Sequence, residues 1–257
     1  MKHPLLVLAV SIELASCQHK VDPVIDLSKA EWQWSCPDSS TLRPFNASMP
    51  GHVLEALVEA DLTPNPYLGT HERDVQWVET VPWHLRAHIP NTGVDADSAV
   101  MCLEGIDTYA SVFVNDAQVL SANNAHRSWT TSPFPVTADG WTIELRFDPV
   151  AARGQAALDA HGLVVPASNE AKPIGTQTSP MTRKPGYQFG WDWGPRLAGP
   201  GISGLMHLHP WNPQATEAPA PPVCTVIHVD SSLARVAVRR HEGWTLDITL
   251  EGYDVPY

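Results

Sequence analysis

Short stretches in which large apolar residues fall at every second position set the strongest limit on the fold. Val81, Trp83, Leu85, Ala87 and Ile89 alternate with polar or small neighbours, and so do Trp141, Ile143, Leu145 and Phe147. A period of two places one set of side chains on one face of a strand, so each such stretch has one face to bury. MCLEG, YASVFVND and the stretch from Ile202 to His209 are further strands of this kind. Gly, Pro, Asn and Asp separate them, and Asn115-Asp116 between YASVFV and AQVL marks a two-residue hairpin. Short strands at this density predict a β-sandwich.

One helix is expected. Pro50-Gly51 precedes HVLEALVEADL, in which Val53, Leu54, Leu57, Val58 and Leu62 share a face, and Asn65 with two prolines closes it. It is expected to plug one end of the sandwich without a catalytic role. From Asp148 to Lys184 the alternation fades and Pro166, Pro173 and Pro180 intervene, which predicts a long surface excursion with one helical turn near Ala151 to Ala160. A Pro/Ala-rich linker, NPQATEAPAPP, covers 212–222. Beyond it Val223 to Val229, Ala234 to Val238 and Leu246 to Leu250 read as three strands, too few for an independent domain. The expected organisation is a leader at 1–17, a sandwich at 25–211, the linker at 212–222 and an incomplete second domain at 223–257.

The net charge of −12 argues against a nucleic-acid partner, which calls for a basic stripe. Cys17, Cys36, Cys102 and Cys224 are far apart and form no metal knuckle. His84 with His88, and His207 with His209, could share strand faces, but neither pair has a third ligand at a suggestive spacing. They read as exposed strand histidines, and no metal or other cofactor is expected. At the N-terminus MKH gives a positive start, PLLVLAVSI an apolar run too short to span a membrane, and LASC an ending like a bacterial lipobox. Export to the periplasm, or lipid anchoring through Cys17, is the expectation, with a cytoplasmic chain as the alternative.

YQFGWDWGP, from Tyr187 to Pro195, is the stretch with most chemical content. An aspartate among aromatic rings is costly to bury unless it is satisfied. A sugar satisfies it: indole faces pack on the C–H face of a pyranose while the carboxylate accepts hydrogen bonds from hydroxyls. As a strand, the block would put Trp191 and Trp193 on one face and Asp192 on the other. One reading aims Asp192 into a pocket walled by the tryptophans. The other makes the block a β-bulge with a surface aspartate.

The order of segments resembles the N-terminal domain of the β-mannosidases of glycoside hydrolase family 2. MPGHVLEALVEADLTPNPYLGTHERDVQWVETVPWHLRAHI, LEGIDTYASVFVND, NNAHRSW and RKPGYQFGWDWGPRLAGPGISG carry the likeness, which runs from about Trp32 to Trp211. It implies a galactose-binding-like jelly roll followed by the start of an immunoglobulin-like domain. It also implies a catalytic barrel later in the chain and a terminal β-mannoside as substrate, with Asp192 binding hydroxyls and Trp191 and Trp193 supporting it. The chain departs from the family at GPGISG, where a bulkier residue is common. A retaining glycosidase needs two carboxylates about 5 Å apart. The single Asn-Glu pair, Asn169-Glu170, lies in irregular sequence and reads as a surface loop, so this portion is expected to be inactive by itself. A freestanding carbohydrate-binding module and an inactive partial chain are the rival readings.

Overall fold

The computed structural model describes residues 24–211 except 168, 169, 171 and 174, together with the backbone of Val7–Glu13, Val223–Val229, Ala234–Arg239 and Asp247–Tyr253. Residues 22–211 form one compact unit, and 1–21 with 212–257 form another.

The larger unit is an all-β sandwich. One antiparallel sheet has six strands in the order Ala117–Ala122, Ala110–Val114, Trp141–Phe147, Trp83–Ile89, Trp32–Ser35 and Phe45–Ala47. The second runs Ser128–Thr130, Ser98–Glu104, Met206–Pro210 and Ile25–Asp26, with Phe134–Pro135 also paired to Ser98–Glu104. The alternation read in the sequence is the burial pattern observed. Trp83, Leu85, Ala87 and Ile89 are buried, as are Trp141, Ile143, Leu145 and Phe147, and the two strands pair with Leu85 opposite Leu145. Met101, Leu103 and Leu208 from the other sheet complete one continuous core. Four of the ten tryptophans, Trp32, Trp34, Trp83 and Trp141, lie within it, with edge-to-face contacts such as Trp34–Trp83. At the Asn115-Asp116 hairpin both residues have positive φ, the conformation that a type I′ turn requires.

A third, small sheet ties one end of the sandwich together. Gly201–Ile202 lies between Gly51–His52 and Ile106–Asp107. A Cβ on Gly201 would meet the carbonyl oxygen of Gly51 at 2.7 Å, so the close approach depends on glycine there. The expected single strand from Ile202 to His209 is therefore two, Gly201–Ile202 and Met206–Pro210, broken by a turn at Ser203-Gly204.

There are two α-helices among the described residues, not one. Helix α1, Val53–Glu59, buries Val53, Leu54, Ala56 and Leu57 and half-buries Val58, while Leu62, expected on the same face, lies past the helix end and is exposed. Helix α2, Val150–His161, replaces the single turn expected near Ala151 to Ala160 and stops at Gly162 in the left-handed conformation. Its buried stripe is Val150, Gly154 and Leu158. The centre of that stripe is a glycine packed on Thr178 and Thr182, so no apolar periodicity announces it. His71–Glu79 adds a nine-residue 3-10 segment.

In the smaller unit Val223–Val229 pairs with Ala234–Arg239, and Asp247–Tyr253 pairs with Val7–Glu13, all antiparallel. The last of these strands falls within the stretch read as a leader. Cys17, the remainder of the leader and the linker at 212–222 lie outside the described residues. Cys36 and Cys102 are free thiols.

Leu145 is fully buried at the centre of the six-stranded sheet. Leu145→Ala is expected to lower unfolding stability by about 2–5 kcal/mol, read as a lower urea midpoint at unchanged slope.

Candidate functional site

YQFGWDWGP is neither a flat strand nor a bulge. Gly186–Gln188 form a 3-10 turn, and Phe189 bridges to Arg196 as a one-rung ladder. Between them the Trp191 and Gly194 backbones exchange hydrogen bonds, N–H to O, at 3.0 and 3.3 Å. Asp192 and Trp193 thus occupy the two central positions of a tight turn. Gly190, at φ 102°, and Pro195 flank it and keep the strand pattern from continuing. Phe189 is buried with Val150 and Ala198 and anchors the stem. Everything from Trp191 to Trp193 is exposed, Trp193 to 86%.

Beside this turn lies an open groove of about 820 Å³. One wall is α1, through Leu54, Glu55, Val58 and Glu59, and a second is the Asn65-Pro66-Tyr67 turn. The third is the loop itself, through Tyr187, Trp191, Trp193 and Leu197. The lining is mostly apolar, and Tyr67 and Tyr187 are 71% and 68% exposed, which is unusual for aromatic rings without a partner. Both tryptophans line the groove, whereas Asp192, read in the sequence as aimed into a pocket, is not part of its lining and stands at the crest of the turn. Among the described residues its carboxylate has no hydrogen-bond or ion-pair partner, so its lone pairs are open to a ligand. Helix α1, expected only to plug the sandwich, also forms a wall of this groove.

Two buried cations hold the ends of the loop. Before it, the Lys184 ammonium donates to Asp107 Oδ2 at 2.7 Å and to the Gly199 carbonyl at 2.6 Å, and Gln188 Nε2 donates to the same Asp107 oxygen at 2.8 Å. Burial pushes the Lys184 ammonium below its usual range, against the pull of Asp107. After the loop, Arg196 is buried between two carboxylates. Its Nε donates to Glu79 at 3.0 and 3.2 Å, and its Nη1 donates to Glu170 Oε1 at 2.9 Å and to the Phe189 carbonyl at 3.3 Å. The Arg196 backbone N–H donates to Glu72 Oε1, and its carbonyl accepts from Gln76 Nε2.

Glu170 is therefore not in a surface loop, as its sequence context suggested. Its side chain is fully buried, with Oε2 accepting the Ser179 N–H at 2.9 Å. Burial raises its carboxyl, but hydrogen bonds from Ser179 and Thr178 and the Arg196 charge outweigh that and hold it below the usual range. Both of its oxygens are taken by the protein, so Glu170 is not presented to a substrate. Asn169 lies outside the described residues. Nor is the Asp148–Lys184 stretch a purely surface excursion. Glu170, Gln177, Thr178, Thr182 and Lys184 are buried within it, because each has a protein partner for its polar groups or packs on α2.

His52 caps α1 and joins the same network. Its Nδ1 accepts the Leu54 N–H at 3.2 Å, so Nε2 carries the hydrogen and donates to the Gly199 carbonyl at 2.7 Å. Burial, and then the Lys184 charge, push its pKa down to about 4. His84 is not a free surface group either, since its Nδ1 lies 3.0 Å from Glu144. No cluster of three metal-ligating side chains occurs among the described residues.

The acid sensitivity of this end of the molecule has a definite sign. Between pH 6.5 and about 4 unfolded His52 binds a proton that folded His52 refuses, and below the usual carboxylate range the same holds for Glu170. Stability is therefore lost as pH falls through these windows. The melting temperature is expected to drop from pH 7 to pH 4. His52→Asn, which keeps an N-cap acceptor and does not titrate, should flatten the part of that slope between pH 6.5 and 4.

Residues 25–204 match the family described as the glycosyl hydrolase 2 galactose-binding domain-like family. Among curated relatives, Beta-mannosidase B of Thermothelomyces thermophilus is 31% identical over 230 residues, which cover 85% of this chain and 25% of the relative. Beta-mannosidase B of Aspergillus oryzae is 31% identical over 178 residues, 66% of this chain and 20% of that protein. Among solved structures, the β-D-mannosidase from Dictyoglomus thermophilum is similar with a TM-score of 0.62 at 22% identity, over 90% of this chain and 31% of that one. That likeness shows the fold. The chain spans about a quarter of the length of the curated relatives it matches.

Proposed function

The chain belongs to the glycosyl hydrolase 2 galactose-binding-like family, and on that premise we propose that it is the front, non-catalytic portion of an exo-acting, retaining β-mannosidase. The observation that carries this is the turn at Asp192: a carboxylate without a protein partner, at the crest of an exposed loop, next to two outward-facing indoles. Hydroxyls of a terminal β-mannoside fit the carboxylate, and pyranose C–H faces fit the rings. The names of the relatives favour mannose over other sugars. Acid/base and nucleophile, two carboxylates about 5 Å apart, would come from the catalytic barrel of the longer protein. This portion orients the sugar and excludes water on one side. Export with a lipid on Cys17 belongs to the same reading. It rests on the LASC ending, and a bacterial membrane fraction that holds the complete chain equally well after Cys17→Ser would overturn it.

A charge-assisted hydrogen bond to a hydroxyl contributes about 1.5–3 kcal/mol. Asp192→Ala in the complete enzyme is therefore expected to lower kcat/KM for an aryl β-mannoside at least about tenfold, with melting temperature unchanged. An unchanged kcat/KM removes Asp192 from the sugar site. The open aromatic groove favours a second reading, a freestanding carbohydrate-binding module. Titration calorimetry separates the two: mannose binding by the 257-residue chain supports the module, and its absence supports the half-built site.

A further inference from the structure

We propose that Glu79 and Glu170, acting through Arg196, are positioning residues that fix the Asp192 turn for the sugar, an inference that rests on the β-mannosidase reading above.

Lys184, Gln188 and buried Phe189 hold the side of the loop that enters the turn, and Arg196 holds the side that leaves it. The loop's ladder is a single rung, Phe189 to Arg196, and the four residues from Trp191 to Gly194 are closed only by their own two hydrogen bonds. Trp191, Asp192 and Trp193 are exposed, so packing cannot set their direction. The direction of the turn is set at its stem, and Arg196 is the stem residue with the most partners. It is tied to two separate parts of the chain, one of them at two points. Glu79 closes the 3-10 segment His71–Glu79, Glu72 opens it, and Glu170 comes from the irregular stretch after α2. Arg196 Nη1 also donates to the Phe189 carbonyl, which fastens one side of the stem to the other. A planar guanidinium can satisfy carboxylates on two of its edges at once, whereas a lysine ammonium is a point charge that cannot span the same pair in this geometry.

This assigns a purpose to Glu170, the glutamate of the only Asn-Glu pair in the chain, and to the excursion that carries it. Both of its carboxylate oxygens are occupied, one by Arg196 and one by the Ser179 N–H, and its side chain is sealed from solvent. It faces the stem of the loop. Lys172, 3.4 Å from Glu79, adds a second cation to the cluster.

The test has two independent arms. In the 257-residue chain, hydrogen exchange at the Gly194 amide, which donates to the Trp191 carbonyl, reports closure of the turn. Arg196→Met and Glu170→Gln should each speed that exchange about tenfold while the Leu145 amide in the core is unaffected. Arg196→Lys should rescue only part of it. Unchanged Gly194 exchange in both variants overturns the clamp. In the complete enzyme, Glu170→Gln, and Arg196→Met where it folds, should lower kcat/KM about tenfold, because small displacements of a binding group are costly. In an Asp192→Ala background the same substitutions should change kcat/KM by less than about twofold. Losses that multiply in that background overturn the positioning role, since a merely structural defect would add to the loss of Asp192. An Asp192→Ala enzyme with full kcat/KM would overturn the underlying reading instead, which the Gly194 exchange does not touch.

Discussion

A cation removed from water has to be surrounded by anions and acceptors that were removed with it, and two such cations govern the end of the larger unit that carries the Asp192 turn. Arg196 lies between Glu79 and Glu170, and Lys184 lies between Asp107 and the Gly199 carbonyl. The penalty for burying each charge is offset only while the whole set stays assembled. The residues that supply the partners come from positions 72 to 199, so the demand of two charges reaches most of the sandwich. The loop between Lys184 and Arg196 inherits its placement from that demand and from the burial of Phe189 at its stem.

The sandwich makes the arrangement possible by giving the partners fixed addresses. Asp107 and His52 sit on the small sheet around Gly201, whose short rungs are tied to the large core through Ile106, Ile202 and Val53. Glu79 ends the 3-10 segment that Trp83 holds through its indole hydrogen bond to the Val78 carbonyl. Asp107 and Glu79 each adjoin a buried apolar side chain, Ile106 and Val78. Packing sets the backbone, and the backbone sets the charges.

What could be read from the sequence and what could not follows from the range of the signals. The sheets were legible because alternation is local: Trp83 to Ile89 and Trp141 to Phe147 declare their buried faces without reference to each other. The hairpin at Asn115-Asp116 was legible because only a few residue types tolerate positive φ. Helix α2 was legible only as a single turn near Ala151 to Ala160, and its full length was not, because its buried stripe runs through Gly154 and carries no apolar period. The shape of the block around Asp192 was not legible. Composition suggested a carboxylate among rings, while a turn stabilised by reciprocal backbone bonds, with the carboxylate outside the groove, depends on Gly190, Pro195 and the stem. The ionic network was invisible. Arg196 and Glu79 are 117 residues apart, and a buried glutamate looks in sequence like any exposed one.

The separation of Asp192 from the groove gives the site its physical meaning. A free carboxylate at the crest of a turn is well solvated and costs little to leave open, so it can wait for a ligand. Four aromatic rings along an open groove are a different matter, since apolar surface exposed in one patch is unfavourable until something covers it. The turn therefore presents two unlike surfaces side by side, one suited to hydroxyls and one suited to apolar faces, with Trp191 and Trp193 at the boundary between them. A pyranose has both kinds of surface. On the proposed reading the sugar is gripped along that boundary, and the rigidity supplied by Arg196 matters because the two surfaces must meet it at the same time.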